Sequence, residues 1–149
     1  AKDPDVARYV TWDVHKSIDD TKGFMSYALE QYKKGQPAPW GIELKEEGKI
    51  IGTIDFTYWS PVHKRAEIGY ALGKKYWGKG IMTEAAQKVL EAGFRDLALE
   101  RIEARCLEEN IGSERVMQKI GMVYEGTLRK YWFRKGAYHN MKLYSILRE

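Results

Sequence analysis

The tightest constraint on this chain lies between residues 66 and 107. A strand-like run, Ala66 to Leu72, leads into the loop Lys75-Tyr76-Trp77-Gly78-Lys79-Gly80, and a second strand-like run, Arg101 to Leu107, follows about twenty residues later. Between them Ile81, Ala85, Ala86, Val89, Leu90 and Phe94 recur at helical spacing, which predicts a helix to about Asp96. Strand, crossover helix and strand make a βαβ unit, so the two strands are expected to be parallel members of one sheet. The loop before the helix has the chemistry of an anion site. The first N–H groups of a helix lack intrahelical partners, and the aligned peptide dipoles put partial positive charge there. Gly78 and Gly80 can take positive φ and bring the backbone close to a phosphate, while Lys75 and Lys79 add full charges. A pyrophosphate grip is the expectation. The plainer alternative is a tight strand-to-helix turn with solvated lysines.

The flanking segments complete the pattern. Asp3-Pro4 predicts a short helix through Tyr9, and Ser17 with Asp20 opens a second one that Gly35 closes. From Trp40 the period becomes two: Trp40, Ile42 and Leu44 alternate with Gly41 and Glu43, and a turn at residues 46–49 leads into a strand from Ile50 to Tyr58, a hairpin. After the βαβ unit come a helix from Ser113 to Ile120 and two long strands, Met122 to Phe133 and Met141 to Leu147, joined through Lys135-Gly136. The fold class expected is α/β (α+β): a mixed, mostly antiparallel sheet with a central parallel βαβ unit and a C-terminal hairpin. All 149 residues are read as one domain, long enough to bury a core without disulfides or metals.

Composition removes several classes. A chain that is 44% hydrophobic with 13% aromatic residues is a folded globular protein, not a disordered one. No apolar run reaches the length of a membrane span and no signal peptide is visible, so no membrane partner is expected. The single cysteine, Cys106, excludes an internal disulfide and points to a reducing cytoplasm. With no histidine nearby in sequence, Cys106 reads as a small core residue and not as a nucleophile. His15, His63 and His139 are too scattered to suggest a metal site. The net charge of +4 suits an acidic ligand, but the basic residues are interleaved with acids, which argues against nucleic acid. Arg129 to Lys135, aromatic and basic, reads as an alternating strand before it reads as a nucleic-acid surface. Tyr138, His139 and Asn140 at its tip are candidates for lining an acceptor site.

Several motifs then occur in a telling order: Ala66-Glu67-Ile68-Gly69-Tyr70, the glycine loop with Thr83-Glu84-Ala85 after it, Asn110-x-x-Ser113, Lys119-Ile120-Gly121-Met122, and Glu125-Gly126-x-Leu128-Arg129. Together they resemble the GNAT superfamily of acetyl-CoA-dependent N-acetyltransferases, most closely its RimJ/RimL type. The resemblance covers nearly the whole chain and lacks only the family's first strand, so the chain is expected to begin late in the domain. Lys75 departs from the glutamine or arginine usual at the start of the glycine loop, although it keeps a positive donor.

The resemblance implies a cosubstrate, acetyl-CoA, and a site for it. Lys75, Trp77, Gly78, Lys79, Gly80, Ile81, Met82 and Thr83 would hold the pyrophosphate, and the backbone of Tyr70, Ala71 and Leu72 would hold the pantetheine arm as if it were an added strand. That arrangement requires the Ala66 and Arg101 strands to splay apart. Acetyl transfer to an amine needs a neutral nitrogen, and an α-amino group with a pKa near ~7.7 to 8.0 gives one up more readily than a lysine near ~10.4. Glu67 matches the family position often assigned to the base, with Asp55 on the neighbouring strand in reserve. The alternative for Glu67 is a strand glutamate in solvent or paired with Lys64 or Arg65. A backbone N–H near Tyr70 is placed to meet the oxyanion. Where many relatives carry a tyrosine acid this chain has Met117, and the resemblance offers Ser113 instead, with Asn110 as a polar anchor. Helix capping by Asn110 or Ser113 is an equal reading. The expected activity is direct attack by a primary amine, small or at a protein N-terminus, on acetyl-CoA, in a cytoplasmic monomer or homodimer. The rival is a non-catalytic acyl-CoA sensor.

Overall fold

The structure is a computed structural model that describes residues 40–44 and 48–149. The two helices expected before Trp40 lie outside the described residues. The elements are β1 (Trp40–Leu44), β2 (Lys49–Ser60), β3 (Arg65–Leu72), a 3-10 turn at Lys74–Tyr76, α1 (Ile81–Asp96), β4 (Arg101–Leu107), α2 (Ile111–Lys119), β5 (Val123–Arg134) and β6 (Ala137–Leu147). The strands form one sheet in the order β1-β2-β3-β4-β6-β5. Only β3 and β4 run parallel, and α1 is the crossover between them. The mixed sheet, the central βαβ unit and the C-terminal hairpin are all as expected.

Several boundaries differ from the sequence reading by a residue or more, and for two of them the cause is visible. α2 begins at Ile111 rather than Ser113, because Asn110 is its N-cap: the Asn110 Oδ1 accepts from the Ser113 N–H at 3.1 Å. β6 starts at Ala137 rather than Met141, because Lys135 and Gly136 take φ of 51° and 77° and close a two-residue turn that keeps the strands paired up to Arg134 and Ala137.

The core lies between α1 and one face of the sheet. Met82, Ala85, Ala86, Val89, Leu90, Ala92 and Gly93 of α1 are buried against a sheet face that includes Phe56, Ala66, Ile68, Ile102 and Ala104. Each large side chain so buried contributes about 1.5–3 kcal/mol. Gly93 sets the closeness of approach: a Cβ there would come within 3.0 Å of both Ile102 Cδ1 and Phe56 Cζ. The opposite face carries the polar members of the same strands. There Arg101 hydrogen-bonds Glu103 and forks onto Glu125, and the Ser145 hydroxyl also donates to Glu125. The Glu125 of the Glu-Gly-x-Leu-Arg motif is thus a staple between β4, β5 and β6.

Candidate active site

β3 and β4 pair only from Arg65 with Arg101 to Glu67 with Glu103. Beyond that point β3 stays on β2 as far as Leu72, and β4 stays on β6 as far as Leu107. The parallel strands therefore part after three residue pairs and leave a wedge between them. The edge of β3 from Ile68 to Leu72 then has no strand partner on that side among the described residues, and its backbone groups short of the Leu72 carbonyl are open to a ligand.

The parting coincides with a bulge on the other side of β3. Phe56 pairs with Ile68 and Tyr58 with Glu67, so Thr57 is the extra residue. A bulge bends the strand that carries it and increases its local twist, and this one in β2 faces Glu67, the last residue that β3 shares with β4. Gly69 accommodates this: a Cβ on it would lie 2.6 Å from the Thr57 methyl. The glycine of Glu67-Ile68-Gly69-Tyr70 is a packing requirement of the bulge.

The side chains around the wedge come from four elements. Tyr70 reaches across it to α2, where its hydroxyl lies 3.1 Å from the Ser113 carbonyl oxygen and 3.0 Å from the Ser113 Oγ. Burial pushes the phenol up to about 12, so at neutral pH it is a proton donor. Cys106, on the β4 side, is buried, and burial raises its thiol to about 11, as suits a core residue. Met117 is buried in the core with 1% of its surface exposed. Glu67 points to the opposite face, where both its oxygens accept from one guanidinium: Arg105 Nε at 2.8 Å and Nη2 at 2.7 Å. Its partner is thus neither Lys64 nor Arg65. The same guanidinium donates to the Tyr131 hydroxyl and lies over the Tyr131 ring. A bulge in β5 between Leu128 and Trp132, with Lys130 at a φ of 49°, aims Tyr131 there. The hydrogen bonds to Glu67 hold the Arg105 guanidinium still more firmly protonated than usual. Asp55 pairs in register with Gly69 and so stands on this face too. It is half-buried, has no hydrogen-bond or ion-pair partner among the described residues, and burial raises its carboxyl above the usual range.

The glycine loop lies beyond the end of β3. The Gly73 N–H donates to the Ile51 carbonyl at 2.8 Å and anchors the turn, and Tyr76 is buried beneath it. Lys75 Nζ sits 5.1 Å from the Tyr76 ring centroid. Gly78 and Gly80 have φ of 74° and 77°, and nothing lies within 4 Å of a Cβ built on either. The chain needs glycine at these positions for the left-handed dihedral, and the space beside them is open. Gly80 is the N-cap of α1 and offers no side chain to cap it, so the first-turn N–H groups of Ile81, Met82 and Thr83 have no acceptor from the cap residue. The Met82 side chain is buried, which leaves only its backbone for a ligand. Trp77 is mostly exposed, but its indole N–H donates to the Leu72 carbonyl at 2.8 Å and so occupies one acceptor position of the strand end.

The structure therefore brings Glu67, Tyr70, Asn110 and Ser113 to the wedge, with the Lys75 to Thr83 loop beyond the end of β3. Sequence reasoning missed Arg105, Tyr131 and the phenol of Tyr70. Alternation on adjacent strands carries a partial signal for the first, since Arg105 and Glu67 are polar residues on one face. Among the described residues no cluster of His, Cys, Asp or Glu is placed to hold a metal ion, and no helix is long and apolar enough to cross a membrane.

The profile of the acetyltransferase (GNAT) domain matches residues 1–123. The chain belongs to the GNAT acetyltransferase family. This GNAT protein is an acetyl-CoA-dependent acetyltransferase, and its relatives agree with the RimJ/RimL type. It is 34% identical over 146 residues to the uncharacterised N-acetyltransferase p20 of Bacillus licheniformis, spanning 98% of this chain and 82% of that protein. It is 33% identical over 130 residues to the ribosomal-protein-serine acetyltransferase of Escherichia coli, spanning 87% and 72%. Among solved structures, the microcin C7 self-immunity acetyltransferase MccE, in complex with acetyl-CoA and AMP, superposes with a TM-score of 0.71 at 28% identity, over 89% of this chain and 73% of that one.

Proposed function

We propose that this GNAT protein carries an acetyl group from acetyl-CoA to a primary amine in a ternary complex, and that a protein N-terminal amine is its acceptor. The parting of β3 from β4 after Glu67 and Glu103 is the observation that carries the reading. The free edge of Tyr70 to Leu72 accepts the pantetheine arm through backbone hydrogen bonds. The diphosphate rests on the N–H groups of the Gly78–Thr83 segment, with Lys75 and Lys79 supplying charge. The thioester then lies at the mouth of the wedge. Its carbonyl oxygen meets a backbone N–H near Tyr70 as negative charge develops.

The amine approaches from the face that carries Glu67. A carboxylate there attracts the ammonium form and serves as the sink for its proton, directly or through water. The freed nitrogen attacks the carbonyl carbon and gives its second proton to solvent, and the sulfur departs toward Ser113. The Ser113 hydroxyl gives that sulfur a proton, held in line by the Tyr70 phenol 3.0 Å away. Asn110 contributes by capping α2 and fixing the position of Ser113. The relative named for a ribosomal-protein serine supports an N-terminal amine as acceptor. So does chemistry, because an α-amino group sheds its proton more readily than a lysine.

Thiol release from acetyl-CoA with a panel of amines tests this reading. Peptides with a free N-terminus are expected to turn over, and the same peptides blocked at the N-terminus are not. Tight CoA binding without turnover on any acceptor refutes the transferase reading for this chain.

A further inference from the structure

Resting on that transferase reading, we propose that Asp55 is the group that takes the proton from the acceptor ammonium, while Glu67, fixed beside it, orients the amine as a hydrogen-bond acceptor. The two carboxylates share the acceptor face, two residue positions apart along β3, because Asp55 pairs with Gly69. Their environments differ. Both oxygens of Glu67 accept from the Arg105 guanidinium. A carboxylate has lone pairs left over to accept from an ammonium, but protonating it would dismantle the two-pronged ion pair. Asp55 has no such partner among the described residues. Its Oδ1 lies 3.7 Å from where a Gly69 Cβ would be, beside the Thr57 methyl that packs over Gly69, so the carboxylate stands against β3 on the face that Glu67 shares.

A base works best when its own proton affinity approaches that of the group it deprotonates. Burial moves Asp55 in that direction. Asp55 shares this face with Glu67 on β3, behind which stands Arg105 on β4, and the described part of β1 ends opposite Ile54. One N–H bond of the ammonium breaks and an O–H bond forms on Asp55. The nitrogen lone pair then forms the C–N bond, the nitrogen passes its second proton to water, and the C–S bond breaks. The sulfur takes the Ser113 hydroxyl proton, which solvent replaces, and Asp55 releases its proton to water.

The test compares Asp55→Asn with Glu67→Gln, using acetyl-CoA and a free-N-terminus peptide from about pH 6 to about pH 9. Asp55→Asn is expected to lower kcat at neutral pH by roughly 100-fold or more, with the rate recovering as pH rises and free amine becomes abundant. Glu67→Gln is expected to raise the acceptor KM more than it lowers kcat. Unchanged CoA affinity shows that Asp55→Asn is folded. Retention of activity within about threefold with an unaltered pH profile overturns the assignment. A carbon-13 titration of the aspartate carboxyls in the CoA complex gives a readout independent of turnover. Asp55 is expected to titrate above the ordinary aspartate range and to shift when amine is added, and an ordinary midpoint unmoved by amine overturns the proposal. If the wild type acetylates no amine, the transferase reading fails, and this titration still decides whether Asp55 meets the ammonium.

Discussion

Gly80 offers a way to ask why the loop before α1 carries glycine. A Cβ at Gly80 would meet nothing within 4 Å, yet its φ is 77°. Replacement by an L residue therefore costs dihedral strain and no clash, about 1–2 kcal/mol. That strain is divided between two observables. If the loop keeps its shape in the free protein, the whole cost falls on folding stability; if the loop relaxes and must be restored when CoA binds, it falls on affinity. The full amount placed on binding corresponds to a rise in Kd of about 5- to 30-fold. Asparagine visits the left-handed region more readily than alanine although it is larger. Calorimetric titration with CoA and thermal unfolding of Gly80→Ala and Gly80→Asn should show a combined loss within that range for alanine and a smaller one for asparagine. A greater loss for asparagine would mean that space, not φ, is what the site requires. No change in either observable for alanine would mean that the left-handed turn is dispensable.

Three further outcomes follow from the same geometry. Arg105→Met leaves the Glu67 carboxylate, whose side chain is only 13% exposed, without its fork. Urea unfolding should register a loss of about 1–3 kcal/mol, and the double variant with Glu67→Gln should lose less than the two single changes added together. Tyr70→Phe removes the hydroxyl that meets Ser113, so a stability loss of about 0.5–1.5 kcal/mol is expected together with a fall in kcat. If Tyr70 acts through Ser113, that fall should not add to the effect of Ser113→Ala, and additive effects on kcat would separate the two residues. The Glu125 carboxyl is lowered from 4.5 to about 2 by its hydrogen bonds from Arg101 and then Ser145. A depressed carboxylate contributes stability that is complete above its unfolded value and lost as pH falls through its folded one. The acid unfolding curve of the wild type should therefore steepen below about pH 4.5, and that of Glu125→Gln should be flatter.

The local features were legible in the chain because their causes are local. The stripe from Ile81 to Phe94 predicted α1 with its observed end at Asp96, since helical period depends only on near neighbours. Lys135-Gly136 marked the last hairpin, since a turn is decided by the residues inside it. Asn110 was readable as a cap in the same way, although the helix it opens starts two residues earlier than the pattern suggested. Glycines at 78 and 80 announced positive φ, and the order of motifs along the chain announced the family.

Other features depend on how far pairing extends between strands that are remote in sequence, and no local pattern encodes that. The wedge exists because the parallel ladder stops after Glu67, at the residue that faces the bulge at Thr57 of β2. Arg105 finds Glu67 across 38 residues, and Tyr70 finds Ser113 across 43. Asp55 and Glu67 are similar carboxylates in the sequence, and their difference in partners arises only once β2, β3 and β4 are side by side. The sequence by itself determined the elements from Trp40 onward, their order and the left-handed glycine loop, because propensity, periodicity and turn chemistry act over a few residues. Tertiary structure alone decided where the sheet opens and which carboxylate is held by a guanidinium, because strand register and burial are properties of the assembled sheet.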